Sequence, residues 1–246
     1  MPTKPTTITT TSPFTAHPWC TTLLRNPSYT LRPAQHTLPT RAPTEDTFFA
    51  HTLSTPTTIS SLVCLYKNPP VRNTKNTKNT TPTTPTTPQS PQSPEARWLL
   101  ALQSHLNGYP DTAHGGLIAT ILDEITGYLI NVNADLREAR AAAAAAGAAA
   151  GVRTAQEAGE IEEIEGKEGK EEEEDEDEAA RGFYTAYLNV RYRAQLKTPG
   201  VYMAVARYER VDEARGKVWL RAEIVDGGGR VYADAEALYV RPRAKM

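Results

Sequence analysis

From His114 to Ile130 the chain reads His-Gly-Gly-Leu-Ile-Ala-Thr-Ile-Leu-Asp-Glu-Ile-Thr-Gly-Tyr-Leu-Ile. On a helix turning about 100° per residue, Leu117, Ile118, Ile121, Leu122, Ile125, Tyr128 and Leu129 fall within one broad apolar stripe. A stripe that wide calls for a sheet to wrap it. Asp123 points away from the middle of the stripe and shares its face with Gly116, Thr120 and Gly127. Small side chains around a carboxylate let another backbone approach closely, whereas a solvated face more often carries Lys, Glu and Arg. The helix opens at Gly115-Gly116, so bare N–H groups and a positive dipole end lie beside His114.

The rest of the chain divides by composition. Residues 1–43 are rich in Thr and Pro and hold no acidic residue. They read as a disordered tail or a targeting segment, although their prolines spoil the amphipathic helix of a transit peptide. Two low-complexity inserts follow, at 67–94 (Asn-Thr-Lys and Thr-Pro-Thr repeats) and at 134–181 (an Ala run passing into acidic residues). Removing them leaves 44–66, 95–133 and 182–246, the length of one ordinary domain, read as a single domain over 44–242.

The formal charge of −2 conceals a segregation: residues 157–178 hold fourteen carboxylates and two lysines, so the remainder is basic by about ten charges. An acidic run of this kind reads as a solvated insert. The basic balance elsewhere carries neither a basic helix nor an aromatic-interleaved platform, which favours a phosphorylated small molecule over nucleic acid. Cys20 and Cys64, the only cysteines, exclude a disulfide framework or a zinc cluster and fit an intracellular site, cytoplasmic or mitochondrial. No apolar run reaches membrane-spanning length.

In chain order, Thr44-Glu45-Asp46 reads as a helix start leading into Phe48, Phe49 and Leu53. Thr57–Tyr66 is β-rich, and Ala96–Leu106 is apolar with strand and helix both open. Asn107–Asp111 reads as a loop. Four runs then follow, Phe183–Leu196, Val201–Val211, Lys217–Val225 and Arg230–Val240, separated by short turns, which predicts an antiparallel meander. A long apolar helix plus a meander makes a two-layer α+β domain, its sheet curled around the helix.

His114-Gly115-Gly116 with Asp123 nine residues after the histidine resembles the hotdog-fold acyl-CoA thioesterases of the phenylacetate-pathway type. The segments Thr185–Arg193, Arg215–Trp219 and Gly229–Ala235 extend the resemblance; Gln195 departs from it, where that family usually has proline. The resemblance implies a hotdog fold, a homodimer or dimer of dimers, and an acyl-CoA substrate with no separate cofactor or metal. It implies Asp123 as general base or nucleophile, Gly115 N–H as oxyanion donor, Thr185 as the hydroxyl orienting a water, and Asn107 as a weaker carbonyl contact. His114 completes the catalytic set, its bland reading being a loop-shaping hydrogen bond. Gly116, Arg191, Arg193 and Lys217 become candidates for holding coenzyme A, the last three being otherwise ordinary strand-surface charges.

Elementary chemistry agrees with that assignment. Thioester hydrolysis needs an activated water or nucleophile and donors for the oxyanion. Gly115 and Asp123 lie on the order of 10 Å apart along one helix, too far to serve one carbonyl. Two helices side by side in a dimer resolve this, one supplying the donor and the other the carboxylate. A non-catalytic acyl-CoA-binding protein is the competing reading. A hotdog dehydratase lacks its usual Asp-plus-His pairing, because no histidine follows His114.

Overall fold

The computed structural model describes residues 13–34, 37, 45–69, 92–156 and 182–241. Among them, a short helix α1 (Pro18–Leu24) precedes strands β1 (Tyr29–Arg32), β2 (Ile59–Lys67) and β3 (Glu95–Leu102). A small hairpin, β4 (Asn107–Tyr109) with β5 (Thr112–Ala113), delivers the chain into the long helix α2 (Gly115–Gln156). Strands β6 (Tyr184–Tyr192), β7 (Gly200–Asp212), β8 (Lys217–Val225) and β9 (Val231–Val240) complete the fold. Seven strands form one antiparallel sheet in the order β1-β2-β3-β7-β8-β9-β6.

The alternation in the strands sets which face meets α2. Val218, Leu220, Ala222 and Ile224 of β8 are buried, as are Ala233, Ala235, Ala237 and Tyr239 of β9. The register carries this apolar row across the sheet, with Ala206 opposite Ala222 and Ala222 opposite Ala235. Such small side chains let the helix sit close, and its whole predicted stripe from Leu117 to Leu129 is buried against them. Trp98 of β3 meets Tyr128 edge-on at 5.5 Å. A long central helix wrapped by an antiparallel sheet is the hotdog arrangement, and the α+β expectation holds.

Two expectations about the chain's margins need correction. Part of the 1–43 segment belongs to the fold: Phe14, Cys20 and Leu23 are buried on the outer sheet face against Leu65, Leu99 and Ala101. Its few apolar residues recur at the spacing of a short helix, and Pro18 occupies the first helical position, where its missing N–H costs nothing. The second insert does not begin at 134 as a break, because α2 runs on through the Ala tract to Gln156. Alanine is the strongest helix former, and residues 138–146 are exposed, so this extension projects past the sheet on propensity rather than packing. The acidic block 157–178 and residues 70–91 of the first insert lie outside the described residues. The remaining differences are local. Ala96–Leu106 resolves as strand β3 ending in a 3₁₀ turn at Ser104–Leu106, and the helical turn near 44 is a π-turn over Phe48–Leu53.

One buried acid ties the outer face together. The Glu95 carboxylate accepts hydrogen bonds from Tyr29 Oη (2.6 Å), Arg97 Nε (2.6 Å) and Arg207 Nε (2.7 Å). Burial opposes its charge, but those donors and the two guanidiniums outweigh it and hold the carboxyl below its usual range. A depressed folded value stabilises the fold above the unfolded carboxyl pKa of about 4.3, and that contribution is lost as pH falls through the folded value. Glu95→Gln is expected to lower unfolding free energy by about 2 kcal/mol at pH 7. Urea unfolding of both proteins should show the gap shrinking well below pH 4; an unchanged gap there would mean that charge is not the cause.

Candidate active site

Asp123 sits on the third turn of α2, partly exposed, on the helix side that faces β6 and β9. Thr185 Oγ1, from the start of β6, donates to Asp123 Oδ1 at 3.0 Å. Tyr239, buried on β9, brings its hydroxyl within 3.2 Å of the same Oδ1 and 2.9 Å of the Asp123 carbonyl. Thr126 Oγ1 lies 2.7 Å from that carbonyl and 2.9 Å from Tyr239 Oη, so the two hydroxyls and the carbonyl close a small network beside the carboxylate. Burial, reinforced by the Asp123 charge, pushes the Tyr239 hydroxyl well above its ordinary pKa, so it remains a donor at neutral pH. A Cβ at Gly127 would lie 3.4 Å from Tyr239 Oη, the near limit of ordinary contact. A carboxylate held by two hydroxyl donors on one oxygen keeps the other free to accept a proton or attack.

The start of the helix is arranged around His114. Its Nδ1 accepts the Gly116 N–H at 2.9 Å, while the His114 backbone N–H donates to Leu106 O at 2.8 Å. His114 therefore caps the helix through Nδ1, and the Gly116 amide is spoken for. The Gly115 N–H has no acceptor among the described residues and stands at the positive end of a 42-residue helix. Tyr192 Oη, at the far end of β6, donates to the Gly115 carbonyl at 3.0 Å. Asp123 and Gly115 are thus tied to opposite ends of the same strand.

The other predicted residues separate into distinct places. Asn107 pairs through its carboxamide with the Thr198 hydroxyl; with its oxygen turned toward the Asp111 N–H (3.3 Å), its nitrogen reaches Ser104 O (3.2 Å). That binds the hairpin that leads into α2. Arg191 and Arg193 both engage Asp234, through Nε at 2.6 and 2.5 Å, on the outer sheet face, and Arg191 also reaches Glu236 at 3.4 Å. Burial opposes the Asp234 charge, yet the two arginines more than offset it and keep the carboxyl below its usual range. Lys217 is not with them; it lines a cavity beside α2 with Arg137 and Arg241. The three cations therefore form no single cluster. Tyr239 and Tyr192 are the site residues the sequence reading missed. The one signal available for Tyr239 was a lone tyrosine closing the alanine row of β9.

No family model matches the sequence, and a comparison with curated proteins finds no match. Among solved structures, the chain is similar to a thioesterase superfamily protein at 17% identity and a TM-score of 0.37, over 59% of this chain. That match takes in 51% of the other protein, so the chain spans about half its length. It is similar also to the E. coli PaaI protein from the phenylacetic acid degradation operon, at 9% identity and a TM-score of 0.39 over 61% of this chain and 73% of that one. Zebra fish thioesterase superfamily member 2 gives 11% identity and a TM-score of 0.38, over 61% and 75%. At these identities none of them assigns a role to a residue of this chain. Among the described residues no helix is long and apolar enough to cross a membrane.

Proposed function

We infer that the protein is an acyl-CoA thioesterase, acting as a homodimer or larger even assembly with two-chain sites. The observation that carries this reading is the Asp123 carboxylate, held on one oxygen by Thr185 and Tyr239 and partly open to solvent. Asp123 takes a proton from a water placed by Thr185 as the water oxygen bonds to the thioester carbonyl carbon, or attacks that carbon itself. The negative charge that develops on the carbonyl oxygen is received by a Gly115 N–H from the second chain. The C–S bond then breaks, and the thiolate of coenzyme A leaves and takes up a proton; where Asp123 has attacked directly, water then cleaves the Asp123–acyl anhydride, releasing the acid and restoring the carboxylate. Supporting the two-chain form, Gly115 and Asp123 are anchored at opposite ends of β6, which among the described residues lies at the sheet edge and pairs with β9 alone.

The direct test is release of free thiol from a panel of acyl-CoAs of differing chain length and aromaticity, followed with a thiol-reactive dye. Turnover well above the rate without enzyme is expected for at least one member. Binding of acyl-CoA without thiol release would instead favour a non-catalytic acyl-CoA-binding role.

A further inference from the structure

Past Asp123, the same face of α2 continues through Gly127, Asn131 and Ala134, at four, eight and eleven residues beyond the carboxylate. Asn131 and Ala134 border a cavity of about 350 Å³ between the helix and the ends of β6 to β9. The cavity begins on the order of 10 Å along the helix from Asp123. It also adjoins the site through β6, since Phe183, in its lining, lies two residues before Thr185.

Its walls are mixed in a particular way. Ile130, Val211 and Val218 give it apolar sides, while Arg137, Lys217 and Arg241 bring three cations to it. Two acids share the lining, and neither neutralises them fully. Asp212 is engaged by Arg215, at 3.1 Å through the backbone N–H and 3.7 Å through the guanidinium. Glu213 reaches Arg137 only at 3.8 Å, through Nη2. Among the described residues the buried Arg137 Nε has no hydrogen-bond partner, and a buried donor left unmade is rare in folded proteins. Lys217 has no carboxylate partner among the described residues, and the Arg241 guanidinium lies over the Phe183 ring at 4.9 Å.

We propose that this cavity receives the far end of the acyl group and selects an acyl chain that ends in a carboxylate. This deepens the thioesterase reading and rests on it. Apolar walls suit methylenes, and an unpaired Arg Nε beside a lysine suits a terminal carboxylate. A strongly hydrated polyphosphate would gain less from the apolar walls. Arg137 lies fourteen residues past Asp123, about 21 Å along the helix axis, and its side chain can reach back about 6 Å, so at roughly 1.2 Å per bond the chain needs about twelve methylenes. The substrate class is therefore the mono-CoA thioester of a long-chain dicarboxylic acid.

The test compares tetradecanedioyl-CoA with tetradecanoyl-CoA, and the matching pantetheine thioesters, on the full chain and on Arg137→Gln and Arg137→Glu. Each variant is first shown to melt cooperatively. Wild type is expected to favour the dicarboxylic thioester by about tenfold in kcat/KM, with or without the nucleotide. Arg137→Gln should remove most of that preference and Arg137→Glu should reverse it. A wild-type ratio at or below one, or a ratio untouched by both substitutions, overturns the proposal. So does a loss that affects both CoA esters and spares both pantetheine esters, which would assign the cations to the phosphates of coenzyme A. If no thioester is hydrolysed at all, calorimetric binding of the same two CoA esters decides the pocket separately. Tighter tetradecanedioyl-CoA binding that Arg137→Gln abolishes would keep the pocket while the thioesterase reading falls.

Discussion

Asp123→Asn will lower turnover of the best acyl-CoA by about a hundredfold or more, while the melting temperature and acyl-CoA affinity stay close to wild type. The magnitude follows from removing a general base or nucleophile from a site that retains its oxyanion donor. The substitution is gentle structurally. Asparagine has the size of aspartate, its carboxamide oxygen still accepts from Thr185 and Tyr239, and the position is only partly buried. A loss of activity therefore reports on chemistry rather than on the fold. Steady-state kinetics, calorimetry with intact acyl-CoA and a thermal melt together make the measurement. Activity within about threefold of wild type would remove Asp123 from the reaction, and the hydroxyl pair around it would become a purely structural contact.

What could be read from the sequence, and what could not, follows from how local each signal is. The burial of Leu117 through Leu129 was legible because helical periodicity is a property of neighbouring residues. The meander was legible for the same reason: Val218, Leu220, Ala222 and Ile224 alternate with Trp219, Arg221 and Glu223, and short turns leave antiparallel pairing as the simplest connection. The approach of Thr185 to Asp123 joins residues 62 apart. It was reached only through a resemblance, since alternation alone makes Thr185 an ordinary strand residue. Tyr239 is 116 residues from Asp123, and nothing nearby marks it except the small side chains before it. Phe14, Cys20 and Leu23 were hidden for a different reason. Composition averages over a window, and a few apolar residues among Thr and Pro disappear in the average although they seat one short helix on the sheet. Arg191 and Arg193 show the limit of charge counting, because their shared acid, Asp234, faces them across the β6–β9 register rather than along the chain.

Mixing two dead variants should restore up to about a quarter of wild-type activity, if each site is built from two chains. One variant is Asp123→Asn; the other is Gly115→Pro, which removes the oxyanion N–H. The proline is well placed for this purpose, because Gly115 is the first residue of α2, where proline is favoured and its missing N–H breaks no helical bond. Its Cβ has room as well, since a Cβ at Gly115 would meet the Tyr192 ring at 3.5 Å, an ordinary contact. Random exchange gives half heterodimers, and each contains one site with both lesions and one with neither, hence the quarter. Both variants must first be shown to be folded, assembled and exchanging, by thermal melts and by mixing differently tagged chains. Within one chain the donor and the carboxylate are on the order of 10 Å apart along a rigid helix. Tyr192 and Thr185 pin them to opposite ends of β6, so no loop movement brings them to one carbonyl. If exchange is complete and no activity returns, the donor and the carboxylate act within one chain, and the oxyanion must then be received by a group other than Gly115.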